Sequence, residues 1–456
     1  MNKIETILKN SKNKTVLFLG NFLHIMQDDL KKFTKELGFE FATKYNDTQD
    51  IALVVLSSIL NPIQEEQSYS LYNKNIPDCT LIEFESFYAK SIKPNALLMS
   101  LKLSNNQDRV ISFLKSEAID NDLYLKLFKL YNYNFEGLFD TNNNRDVTLS
   151  FINRFYKPLT QVNHTDIAHS PATLIEITLT TTNKDALEAI FNMPNYEIKA
   201  KKHQEWKPKN LKEFVALNPY ISKDLIKHIL SLKSHRYDML LAINPAIDFN
   251  SQLTIYNRAT KEIKQALSTN TNLDIELFKL LLSEDTDIVK SLLKSQPISS
   301  RHLSLIKSNY YIYLASNPNI KEVIDNLINI SKELDIELSK NSLLQQSTLT
   351  NLYLKYKEDI FYNITQNPNT SPNILEEIYK SATNDLILNI AKNPNTPSYI
   401  IDELFNKDNI EVNRALALNS NLKDEYLDYF KLDNQLLQIM SKNSKFLDKV
   451  SKKVPI

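Results

Sequence analysis

Apolar residues recur along most of this chain in pairs four apart, each pair followed at a fixed distance by Asn. With that Asn as origin, the position seven before it is Leu211, Tyr237, Ile263, Tyr310, Ile360, Leu386 or Val412. The position three before it is Val215, Leu241, Leu267, Leu314, Ile364, Ile390 or Leu416. An i, i+4 apolar pair is one stripe of a helix. Two before the Asn stand Ala216, Ala242, Ala315, Ala391 and Ala417, where a small side chain admits the close approach of another helix. After the Asn comes a second apolar set, Ile374, Leu375, Ile378 and Tyr379 in one unit and Ile400, Ile401, Leu404 and Phe405 in the next. Each unit is therefore expected to be two short helices.

The Asn positions are 218, 244, 270, 317, 341, 367, 393 and 419, with Gln296 completing the series, so that successive steps are 26, 26, 26, 21, 24, 26, 26 and 26. Weaker copies stand at Asn192-Met193-Pro194 and Ser170-Pro171. A fixed period of about 24–26 predicts a mainly α protein, with an α-solenoid of about 10–12 two-helix repeats, over residues 166–456. The junction, clearest as Asn367-Pro368-Asn369-Thr370 and Asn393-Pro394-Asn395-Thr396, admits two readings. Asn can end a helix in the left-handed conformation, with Pro preventing continuation. Alternatively its amide forms a buried ladder with the neighbouring repeat. Ser371-Pro372 and Thr396-Pro397 read as an N-cap followed by Pro at the first helical position.

These units, together with Glu411-Val412-Asn413-Arg414-Ala415-Leu416-Ala417-Leu418-Asn419, resemble the variant leucine-rich repeat family. The resemblance is close over residues 340–430 and looser towards 170. It implies two short helices per repeat, one of them 3₁₀-like, wound into a right-handed superhelix. Some relatives carry an iron-sulfur cluster on a Cys-rich segment, a feature that a chain with one Cys, Cys79, cannot inherit.

The first part of the chain has a different pattern. A polar segment that reads as a short helix or an N-terminal arm (residues 1–13) precedes Thr15-Val16-Leu17-Phe18-Leu19, an apolar run that reads as a buried strand closed by Gly20. Residues 28–37 are amphipathic with acid in the first turn and Gly38 after the last, the marks of a helix and its stop. Further strands are expected at residues 40–45, 51–56 and 79–82, and helices at 64–72 and 83–90. The order βαββαβα, with the ending Thr80-Leu81-Ile82-Glu83-Phe84-Glu85-Ser86-Phe87-Tyr88, resembles a divergent BRCT domain spanning 14–95. Members that bind phosphopeptides use a Ser or Thr before the first Gly and a Lys early in the second helix. Here Leu19 and the segment Gln64-Glu65-Glu66 occupy those places, so phosphate recognition is not expected. A nucleotide-binding unit would also begin with a strand ending in Gly, but no Gly-x-Gly-x-x-Gly is present. Residues 96–165 read as a helical adaptor, with a loop at Thr141-Asn142-Asn143-Asn144.

Charge changes this picture little: 54 Lys and Arg balance 54 Asp and Glu, so the whole chain lacks a basic nucleic-acid footprint. One Cys fits a reducing compartment, and without a signal core or a membrane-length apolar run the expected location is cytoplasmic. The seven His form no zinc motif, and neither a phosphate-binding loop nor a nucleophile elbow occurs. No catalytic residue, metal or cofactor is therefore expected.

The leading expectation is a non-catalytic scaffold that binds a protein partner. The alternative is a DNA-associated repair or replication accessory factor, by analogy of fold. Positions six and five before the Asn vary from repeat to repeat: Lys212 and Glu213, Asp238 and Met239, Lys264 and Gln265, Tyr311 and Ile312, Asn413 and Arg414. From this stripe Tyr311, Arg414, Lys212, Lys264 and Asn413 are the candidate contact residues, with Tyr311 and Arg414 as anchors because aromatic and Arg side chains dominate interfaces. The second candidate is the basic patch Lys199, Lys201, Lys202, Trp206, Lys207 and Lys209, which suits nucleic acid. A solvated loop pinned by its Trp explains the same residues. The lysines at 442, 445, 449, 452 and 453 read as a solubilising cap.

Overall fold

The computed structural model describes residues 3–12, 14–22, 24–156, 171–197 and 208–451, the side chains of 450 and 451 excepted. Most of the basic patch, Lys199, Lys201, Lys202, Trp206 and Lys207, lies outside the described residues, as do Lys452 and Lys453. The described chain is mainly helical, with a small parallel sheet near its start. It divides into two compact units, Met1–Ala246 and Ile247–Ile456.

In the first unit four strands, β1 (Thr15–Leu19), β2 (Glu40–Ala42), β3 (Ile51–Leu56) and β4 (Asp78–Thr80), form a parallel sheet in the order β2-β1-β3-β4. β1 and β3 are apolar on both faces because each face is covered, the usual state of a parallel sheet. On one side Val16, Phe18, Leu53 and Val55 meet Leu30, Phe33 and Phe84. On the other, Leu17, Leu19 and Val54 meet Leu71. Of the two readings of residues 1–13 the structure takes the helix, Lys3–Asn10, whose Ile4 and Leu8 join the first of these cores. One expectation is corrected here. The last strand ends at Thr80 rather than Ile82, since Thr80 caps the helix Leu81–Ser91 in a reciprocal box with Glu83.

The sheet is joined to the helices that follow by Arg109, which grips both oxygens of Asp29 (Nε 3.1 and 2.9 Å) and donates to Ser100. Four helices follow: Pro94–Ser104, Gln107–Lys115, Asn121–Phe128 and Asn142–Phe155. Residues 141–144 are not a loop; Thr141 caps the last of these helices, and its hydroxyl accepts from Asn144 N–H. Rings of Phe128, Phe151 and Phe155 pack together between them. The helices Asn121–Phe128 and Asn142–Phe155 touch Lys184–Asn192 and Pro171–Thr180 respectively, so the adaptor rests on the first repeat-like pair.

Helices preceding each Asn pack on one another in succession: Leu211–Leu217 on His235–Ala242 in the first unit, and, among others, Phe361–Gln366, Asn384–Lys392 and Ile410–Leu416 in the second. The residues three before the Asn, Val215 through Leu416, are fully buried in both units. The short steps between 296 and 341 are where helices tighten: Ser308–Leu314 and Ile324–Leu327 are 3₁₀.

The junction Asn is a ladder, not a left-handed cap. Asn218, Asn367 and Asn393 have φ of −69°, −79° and −73° and are buried. Asn does take the left-handed role elsewhere, at Asn105 (φ 48°) closing Pro94–Ser104. In the repeats the amide instead donates to two carbonyls one unit back. Asn367 reaches Ser339 and Asn341 (both 2.8 Å), and Asn393 reaches Thr365 (2.9 Å) and Asn367 (2.8 Å). Asn419 reaches Ala391 (2.9 Å) and Asn393 (2.8 Å). Gln296 and Asn317 continue the pattern through the short repeats. The small residue two before the Asn is thus where the next rung docks. The rest of the motif also has physical work. Asn395 donates to Pro368 and Thr370 one unit back, while the Thr396 hydroxyl donates to Ile390. Thr396 is therefore not an N-cap, and the helix starts at Ser398, whereas Ser371 caps as expected. Asn192 is not a rung: it is exposed, and Asn218 reaches past it to Thr178 and Thr181.

Candidate interaction face

Because the ladder and the positions seven and three before the Asn are committed to packing, a surface with its own task has to come from the remaining faces of these helices. The variable stripe proposed from sequence divides in two. At six before the Asn, side chains turn towards neighbouring elements. Lys212 is half-buried with its ammonium 5.4 Å from the Phe191 ring centre, and burial lowers its pKa from the ordinary lysine value. Asp238 is buried. Lys264 is held by Glu284 (2.8 Å) and lies over the Tyr256 ring (4.8 Å). Lys264 and the Tyr256 hydroxyl also lower the pKa of Glu284, against the opposing effect of burial. Tyr311 is half-buried, and Asn413 is buried with Oδ1 lacking a hydrogen-bond partner. Asn413 is therefore not on the surface, and Lys212 and Lys264 already have packing or ionic partners.

At five before the Asn the picture differs between the units. In the first, Glu213 is buried, accepts from Arg236 (Nε 3.1 Å) and takes the backbone N–H of Lys209 (2.7 Å), the one member of the basic patch that is described. In the second, the row begins polar, with exposed Gln265 and with Ser291 bonded to Ser268 (2.9 Å), and then faces outward: Ile312 is 37% exposed, Ile336 and Leu388 are part-exposed, Tyr362 is 57% exposed and Arg414 is exposed, donating to Gln435 (2.8 Å). These residues stand on helices that follow one another in the packed series. Asn363 Nδ2, for example, donates to the Ile336 carbonyl (2.7 Å), tying two of those helices side by side.

The result is a line of apolar side chains, Ile312, Ile336, Tyr362 and Leu388, ending at Arg414. Of the candidates named from sequence, the structure places Tyr311 beside this line and Arg414 in it. Ile336, Tyr362 and Leu388 were passed over, although the same count of five from the Asn finds them. The line can bury apolar surface against a partner; it has no nucleophile or paired acid and base. Among the described residues no group of three or more His, Cys, Asp or Glu could hold a metal ion, and no helix is long and apolar enough to cross a membrane.

Comparison with known proteins returns no matching family model, no matching curated relative and no matching solved structure.

Proposed function

We propose that this chain is a non-catalytic binding scaffold, in which an α-solenoid similar to variant leucine-rich repeats presents an extended surface to a protein partner. The observation that carries the reading is the contrast within one helix. Ladder and core positions repeat almost unchanged, while from Asn317 onwards the residue five before the Asn is exposed or half-buried and reads Ile312, Ile336, Tyr362, Leu388, Arg414. Packing accounts for the first set and not for the second. Apolar side chains left on the outer side of successive packed helices are a mark of an interaction site.

The N-terminal region is proposed as a BRCT-like module. Its element order and the sheet order β2-β1-β3-β4 support this. The helix Pro62–Asn73 begins in a capping box between Asn61 and Gln64, followed by Glu65 and Glu66, an acidic entrance unsuited to phosphate.

The test compares crosslinked partners recovered by the full chain and by Tyr362→Ala/Leu388→Ala. The expected result is loss of specific partners, with stability changed by no more than about 0.5 kcal/mol at exposed Tyr362 and by about 1 kcal/mol at half-buried Leu388. Unchanged recovery would remove this face from the reading. Salt-sensitive affinity for duplex DNA, undiminished in that variant, would favour the DNA-associated accessory role instead.

A further inference from the structure

Four consecutive repeats carry a carboxylate eight residues before the ladder Asn: Glu333, Asp359, Asp385 and Glu411, each 26 from the next. Positions eight, five and one before the Asn are spaced i, i+3, i+7, so they share one side of the helix. That side faces outward, since all four carboxylates and Lys392 are exposed and Lys340, paired with Glu337, is half-buried. The face therefore has an acidic edge, an apolar centre of Ile336, Tyr362 and Leu388, and a second edge with Lys340 and Lys392.

Acid in the first turn of a helix also complements the helix dipole. That argument applies equally to the preceding and following repeats, where the same position is neutral, Asn309 and Gln435. Within the chain Asp359 is bridged to Lys332 (2.7 Å), whereas among the described residues no ion pair holds Glu333, Asp385 or Glu411.

We infer that this face binds an amphipathic helix with apolar residues seven apart and a Lys- or Arg-rich edge, laid across the row so that its cations meet the carboxylates of Glu333, Asp385 and Glu411. The inference rests on the scaffold reading and gives its partner a chemistry. Packed helices lie 8–10 Å apart, and seven residues of helix rise about 10.5 Å. Each heptad of the ligand thus brings one apolar anchor to one repeat, Ile336, Tyr362 and Leu388 in turn. Exposed opposite charges add orientation and a salt-dependent on-rate.

The experiment uses the full chain and three labelled three-heptad peptides read by fluorescence anisotropy: a Leu-heptad helix with a Lys edge, its twin with Glu for Lys, and a scramble of the first. The Lys-edged helix should bind at least about tenfold tighter than either control, more weakly as salt is raised. Asp385→Lys/Glu411→Lys should shift the preference towards the Glu-edged twin, and Leu388→Glu should abolish binding while leaving the chain folded. Equal binding of the Lys- and Glu-edged helices, or of the scramble, would overturn the inference, as would a preference untouched by charge reversal. If no peptide binds while Tyr362→Ala/Leu388→Ala still loses its crosslinked partners, the helix chemistry is wrong and the scaffold stands. If that contrast is also absent, both readings fail.

Discussion

The side-chain amide of Asn393 donates to the main-chain oxygen of Asn367 at 2.8 Å, and the amide of Asn419 does the same to Asn393, so each rung is both donor to one unit and acceptor from the next. Asn393 Oδ1 is engaged as well, accepting from Asn395 N–H. A residue tied at all these points stabilises the stack through its side chain rather than through its backbone conformation.

Asn393→Gly and Asn393→Ala should consequently both destabilise, each by about 1–3 kcal/mol, because the buried Thr365 carbonyl loses the amide and the Asn367 carbonyl is left with the Thr370 N–H alone. A left-handed cap would instead have made Gly nearly neutral. Urea melts of the two variants beside the native chain make the measurement; parity of Gly with the native chain would contradict the ladder.

The two glycines with positive φ should respond differently to Ala. Gly20 (φ 97°) has Ser57 Cβ, the Ile59 carbonyl and Leu60 within 3.0 Å of where a Cβ would sit, whereas Gly38 (φ 86°) has nothing within 4 Å. Gly38→Ala meets only the backbone penalty, on the order of 1 kcal/mol. Gly20→Ala adds a steric clash between β1 and the loop after β3 and should cost clearly more. Equal melting shifts for the two variants would remove the clash from the account.

Glu85 is 2% exposed and accepts the backbone N–H groups of Ile25 (3.0 Å) and His24 (3.4 Å). Burial raises its pKa above the ordinary 4.5, the hydrogen bonds from Ile25 and His24 and the nearby His24 ring opposing this only in part. The folded chain therefore holds this proton more tightly than the unfolded chain. Its contribution to stability falls as pH rises from the ordinary value through the raised one. Glu85→Gln should flatten that part of the stability-pH profile and be no less stable than the native chain at neutral pH. A profile of unchanged slope would assign it to other groups.

Cys79 is buried in β4, and burial pushes its thiol to about 12, with Glu83 and Asp78 adding to the effect. Since the thiolate is the reactive form, alkylation of the folded chain at neutral pH should be slow and should accelerate with urea along the unfolding curve of the N-terminal region. Rapid labelling in the absence of denaturant would show that β4 opens locally.

What the sequence determined by itself was whatever depends on local spacing. The i, i+4 pairs, the count of 26 and the small residue beside each Asn are enough to specify two helices per unit. The alternation of apolar runs and amphipathic stretches before residue 92 is enough to order the sheet region. It could also point at the surface: Arg414 lies on the outward row because five from the Asn is a helical phase, and phase is legible in a chain.

Only the tertiary structure decided the matters that depend on what stands across a gap. Asn reads alike in sequence as a left-handed cap or a ladder, and the choice is made by the carbonyls 26 and 28 residues away that the side-chain amide meets once the units are stacked. Lys264 looks like a free surface cation until Glu284 and Tyr256 are placed around it, and Asn413 looks solvated although its neighbours bury it. Positions five and six before the Asn differ by a 100° turn of one helix. Which of them meets the next helix and which meets water was set by how successive units stack.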